Sequence, residues 1–141
     1  MDRHEHRGSC HCGNLRWTLR SGLELAQLPV RTCGCGFCRK HGLLTTSDPQ
    51  GEMDFAVADN ASMLRYRFDT ATADFLMCGR CGVYVGAQMK EAGRYYGIAN
   101  LRTLEGGGEL EVAQAMDYSA ENAGSRRARR VSRWTPVRTP V

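Results

Sequence analysis

The chain is 141 residues long, 42% hydrophobic and 24% charged, with a formal net charge of +4. That length predicts one domain with a modest core, and no apolar run approaches the ~20 residues that cross a bilayer. The charge comes almost wholly from arginine, and six arginines follow residue 125, so the basic character belongs to the end of the chain and is no overall nucleic-acid signature.

The opening Met-Asp-Arg-His-Glu-His-Arg lacks the apolar stretch of a secretory signal, and residues 1–7 read as a disordered lead. Gly8-Ser9-Cys10-His11-Cys12-Gly13 forms a knuckle, with glycines that let the backbone turn sharply and His11 pointing away from its centre. Leu15, Trp17 and Leu19 then alternate with Arg16, Thr18 and Arg20, the period of a half-buried strand. Residues 26–32 predict a second strand, leading into a glycine-punctuated loop and one helical turn across residues 33–40. Further strands are expected over 43–47, 53–57, 64–68, 73–77, 83–88 and 94–99, with Asp48-Pro49-Gln50-Gly51 as a turn. Gly106-Gly107-Gly108 reads as a flexible link. Residues 116–134 read as a solvated helix packed by Val131 and Trp134, and Pro136 and Pro140 leave the end extended. The expectation is a mostly β domain over residues 8–105, then a glycine link and an arginine-rich tail over 106–141 that packs on the domain and contains a short helix.

All seven cysteines fall in close-spaced groups: Cys10 with Cys12, Cys33 with Cys35 and Cys38, and Cys78 with Cys81. A structural zinc site takes four protein ligands, whereas a catalytic one takes three and leaves a position open. Seven thiols divide as four plus three. The two pairs predict one closed four-cysteine site and the triplet an open one. Thiolate ligation favours zinc or iron–sulfur, and the spacings do not match the common ferredoxin runs, which points to two zinc ions per chain. Disulfides fit poorly, because the count is odd and nothing indicates export.

Gly-Ser-Cys-x-Cys-Gly, the strand with Trp17, Cys33-x-Cys35-x-x-Cys38-Arg39-Lys40 and Cys78-x-x-Cys81-Gly82 together resemble the glutathione-dependent formaldehyde-activating enzymes, also called the centromere protein V domain family. The resemblance spans about residues 7–105. It implies antiparallel sheets meeting in a tent-like, zinc-bound fold. It also implies that Cys10, Cys12, Cys78 and Cys81 hold structural zinc while Cys33, Cys35 and Cys38 hold catalytic zinc. The implied activity is a carbon–sulfur lyase joining glutathione to formaldehyde, so the implied partners are a small thiol and a small aldehyde.

Around the triplet, the backbone N–H groups of Gly34 and Gly36 are expected to temper the thiolates, and His41 reads first as a surface histidine after a loop and second as a proton carrier or gate. Two other functions fit the same residues. One is a zinc lyase or hydrolase for another small electrophile; the other is a non-catalytic zinc module whose basic tail binds nucleic acid or a protein. The tail carries no aromatic-studded base-reading surface, which argues against nucleic acid. Reduced thiols and no export signal predict a cytoplasmic setting, without a membrane partner.

Overall fold

The computed structural model describes residues 3–141. Its elements, in chain order, are β1 (His4–Ser9), β2 (Leu15–Ser21), β3 (Arg31–Cys33), α1 (Gly36–His41), β4 (Thr45–Thr46), β5 (Glu52–Val57), β6 (Met63–Tyr66), β7 (Asp74–Cys78), β8 (Tyr84–Glu91), β9 (Arg94–Asn100), β10 (Gln114–Met116), α2 (Ala123–Arg133) and β11 (Thr135–Thr139). The architecture is mostly β with a short C-terminal helix, and no helix among the described residues is long and apolar enough to cross a membrane.

The sheet runs β1-β2-β5-β11-β9 and forks at β9. One edge of β9 pairs with β8, which leads to β7 and β6. Along the other edge, residues 95–97 take β11 and residues 99–100 take β4, followed by β3 and β10. The pairings are antiparallel except β5 with β11 and β3 with β10. The sheet is therefore mixed, not wholly antiparallel as expected.

β2 shows why the pattern folds this way. Leu15, Trp17 and Leu19 are fully buried, whereas their neighbours face outward in part or in full. The Trp17 indole N–H donates to Thr103 Oγ1 at 2.8 Å, which satisfies its one polar atom inside the core. Directly across the ladder from Trp17 lies Gly8. A Cβ there would sit 2.1 Å from Trp17 Nε1, so only glycine lets the ring lie flat on β1. Gly8→Ala should therefore destabilise the fold by about 1–3 kcal/mol through overpacking; an unchanged urea midpoint would contradict this.

Several elements differ from expectation. The lead is a strand from His4 onward, paired residue by residue with β2, while residues 1–2 lie outside the described residues. His6 is buried and hydrogen-bonds the Leu23 carbonyl at 3.0 Å. Residues 26–32 are not one strand. A 3-10 turn occupies Leu25–Gln27, and only Arg31–Cys33 is extended. The tail does more than pack on the domain: β11 lies inside the sheet, between β5 and β9. Helix α2 is packed by Val131 and Trp134 as expected and is mostly exposed, but Arg126 and Arg130 turn inward and are buried.

Candidate functional site

Two knuckles of similar design bring four cysteines together. After β1, the Cys10 N–H donates to the Leu15 carbonyl at 2.9 Å, and the Gly13 N–H returns to Cys10 O at 3.2 Å. At the end of β7, the Cys78 N–H donates to Val83 O at 3.0 Å, and the Gly82 N–H returns to Cys78 O at 2.8 Å. Both glycines hold positive φ, +85° and +79°, which an L side chain would resist. The backbone thus folds each pair of thiols to one side.

The Cys10, Cys12, Cys78 and Cys81 sulfurs all lie within 4.8 Å of one another. Cys12 Sγ is 3.8 Å from Cys10 Sγ and 3.5 Å from Cys78 Sγ. A tetrahedron with metal–sulfur bonds of about 2.3 Å has edges of about 3.8 Å, so this cluster has the dimensions of a four-thiolate metal site. Cys10 and Cys78 are buried, and their sulfurs accept backbone N–H groups from Leu15 at 3.3 Å and Arg80 at 3.4 Å.

The second cluster is built by β3 and α1. β3 ends on Cys33, Cys35 caps the N-terminus of α1, and Cys38 lies in its first turn. The three sulfurs also lie within 4.8 Å of one another. The donors to them are the N–H groups of Cys35, to Cys33 Sγ, and of Cys38, to Cys35 Sγ, each at 3.4 Å. Among the described residues Gly34 and Gly36 donate to no sulfur, because capping geometry aims the later N–H groups at them. Gly42, in the left-handed region at φ +61°, closes α1. Phe37 anchors it against Phe68, Phe75 and Tyr84 at ring distances of 5.0–5.3 Å.

All seven cysteines are free thiols, and within each cluster they share protons. The hydrogen bond from Cys38, opposed by burial and aided by the Cys35 N–H, draws the Cys33 thiol down to about 5. Cys38 is pushed far up, first by that same hydrogen bond and then by burial. For Cys12 the Asn14 N–H pulls downward, but Cys78, burial, Cys10 and Cys81 outweigh it and raise the thiol to about 11. A metal ion must displace the protons held on Cys12 and Cys38. Metal uptake at neutral pH is therefore expected to release protons, and affinity should rise with pH. Calorimetry in buffers of different ionisation enthalpy reads that release directly; a heat independent of the buffer would contradict it.

A cavity of about 540 Å³ opens on the three-cysteine cluster. Cys33, Cys35 and Cys38 line it, with Phe68, Phe75, Ile98 and Trp134 as apolar walls and Arg31, Arg126, Arg129 and Arg130 as cationic ones. Small-molecule sites occupy about 300–1,000 Å³ and are mostly apolar with a few placed polar groups. The four-cysteine cluster does not line this cavity. His41, a candidate proton carrier, does not line it either; it is exposed at the end of α1, as a surface histidine would be, with its ring 4.4 Å from Phe37.

A sequence profile of the glutathione-dependent formaldehyde-activating enzymes matches residues 5–118. The chain belongs to that family. A crystal structure of a Rhodobacter sphaeroides protein has the same fold, at TM-score 0.57 and 27% identity, over 77% of this chain and 99% of that one. Helix α2 lies past the last residue matched by the family profile, and it brings three of the four cavity arginines. From sequence alone those arginines belong to a solvated helix. The signal for them was present in Arg126, Arg130 and Trp134, which recur every four residues and so share one helix face.

Most of the tail's charge is engaged within the fold. Arg126 pairs with Asp69 and Glu121, Arg129 with Glu121 at 2.7 Å, and Arg127 with Glu91 at 2.7 Å. Arg129 also lies 3.6 Å over the Tyr118 ring. This arrangement favours a cavity wall over a nucleic-acid-binding tail.

Proposed function

We propose that this chain is a zinc-dependent carbon–sulfur lyase of the formaldehyde-activating type, adding the thiol of glutathione to formaldehyde above Cys33, Cys35 and Cys38. The observation that carries the reading is that the three-cysteine cluster, and not the four-cysteine one, opens into the cavity. Both clusters have the thiolate chemistry and spacing that suit zinc. In this reading Cys10, Cys12, Cys78 and Cys81 hold a structural ion, and the other three hold the working one.

Zinc in the open site would supply Lewis acidity and favour the ionised form of a bound thiol. The protein's own residues do the rest. The N–H groups of Cys35 and Cys38 temper the thiolates, and the apolar walls limit water. In the net reaction a carbon–sulfur bond forms, the carbonyl π bond opens, and the thiol proton ends on the new hydroxyl. His41 is not assigned that proton, because it does not line the cavity. Reduced thiols fit a cytoplasmic setting.

Exchange NMR on formaldehyde and glutathione tests the reading. The zinc-loaded, reduced chain is expected to accelerate their interconversion with S-hydroxymethylglutathione. No acceleration at full zinc occupancy would contradict it and favour another small electrophile at the same site.

A further inference from the structure

Arg130 is a buried cation without an anion. It is 8% exposed, its Nη1 donates to Thr72 Oγ1 at 2.7 Å, and its guanidinium lies 4.7 Å over the Trp134 ring. Its Nε is buried with no hydrogen-bond partner among the described residues. Arg31 is half-buried, and its Nη2 donates to Ser47 Oγ at 2.5 Å. Neither takes part in any ion pair among the described residues, whereas Arg126 and Arg129 on the same cavity wall are neutralised by Asp69 and Glu121. Asp117, the other carboxylate on the wall, accepts the Ser119 N–H at 2.9 Å. Among the described residues, neither Arg31 nor Arg130 donates to a cysteine sulfur.

Ionised groups this deeply placed are normally paired. Burial lowers Arg130 to about 10, which leaves it charged at neutral pH, and its like-charged neighbours Arg129 and Arg126 add to the tension. Arg31 lines the same cavity, half-buried, with a serine hydroxyl as its side-chain partner. An anion entering the cavity would relieve both. A guanidinium with a free edge binds a planar carboxylate by paired N–H donors.

We propose that Arg130, seconded by Arg31, is a carboxylate seat that selects an acidic thiol substrate and orients it over the three-cysteine cluster. The proposal rests on the reading of the site given above, since glutathione is itself a dicarboxylate, but its test needs no turnover. The rival role for Arg130 is to balance the charge of the three thiolates, and that role predicts a different loss.

The test is calorimetric titration of the zinc-loaded full chain with S-methylglutathione, whose thiol is blocked, and with its diethyl ester, whose carboxylates are masked. The acid is expected to bind at least about tenfold tighter than the ester, the scale of one charge-assisted hydrogen bond. Arg130→Met should remove most of that preference by weakening the acid alone, with zinc content unchanged, and Arg130→Lys should restore part of it. Equal binding of acid and ester by the unsubstituted chain overturns the proposal, as does no binding of the acid. So does an Arg130→Met chain that keeps its acid affinity but loses zinc. The acid–ester comparison decides the matter even if Arg130→Met fails to fold. Absent exchange with a retained acid preference would count against the formaldehyde chemistry and not against this seat.

Discussion

Cys78→Ser is expected to abolish the cooperative thermal transition of the reduced chain. Cys78 ends β7 with no exposed surface, and its sulfur lies 3.5 Å from Cys12 Sγ, 66 residues earlier. The cluster therefore ties the turn between β1 and β2 to the far wing of the sheet. Structural zinc contributes about 10–16 kcal/mol of apparent free energy in small zinc peptides, against a total of about 5–15 kcal/mol for a typical domain. A serine hydroxyl is a poor replacement for thiolate, so losing this ligand removes a term as large as the net stability. A far-ultraviolet circular dichroism melt checks this, and an unchanged melting temperature would contradict the structural role.

Cys35→Ser should give the opposite result. Serine is a good N-cap, and residue 35 caps α1 by accepting the Cys38 N–H, so the local fold should survive. The cluster is reduced to two thiols, however, and the open site should lose its metal. Lewis-acid assistance supplies several kcal/mol, so turnover should fall by about a thousandfold while the melting temperature stays close to that of the unsubstituted chain. Undiminished turnover in this variant would place the chemistry elsewhere.

Much of this was legible because ligand spacing is local. Cys-x-C and C-x-x-C turns declare themselves within a few residues, and counting to four and three predicted which groups would meet. β2 was equally plain, since its inward residues are large and apolar. β1 was hidden because its inward residues are His6 and Gly8: one is buried by a backbone hydrogen bond, the other is small because Trp17 lies on it. β11 was hidden by Pro136, since a missing N–H usually confines proline to sheet edges. The ladder with β5 is irregular just beyond it, between Val137 and Thr139. The cavity was hidden because arginine normally signals solvent, and only tertiary packing turns Arg126 and Arg130 inward.

The sequence offers His41 as a proton carrier on residue type alone. Helix α1 places that ring outside, against Phe37. Sequence proximity predicts ligand sets far better than it predicts which side chains reach a cavity, because ligands converge on one point and cavity walls come from every element that surrounds it.

The most direct test of the four-plus-three account is zinc per chain, measured by elemental analysis on reduced, untagged protein and on its Cys35→Ser variant. The account predicts two ions falling to one, with the fold intact. A single ion in both proteins would contradict it, because the cavity would then open on cysteines that hold no metal.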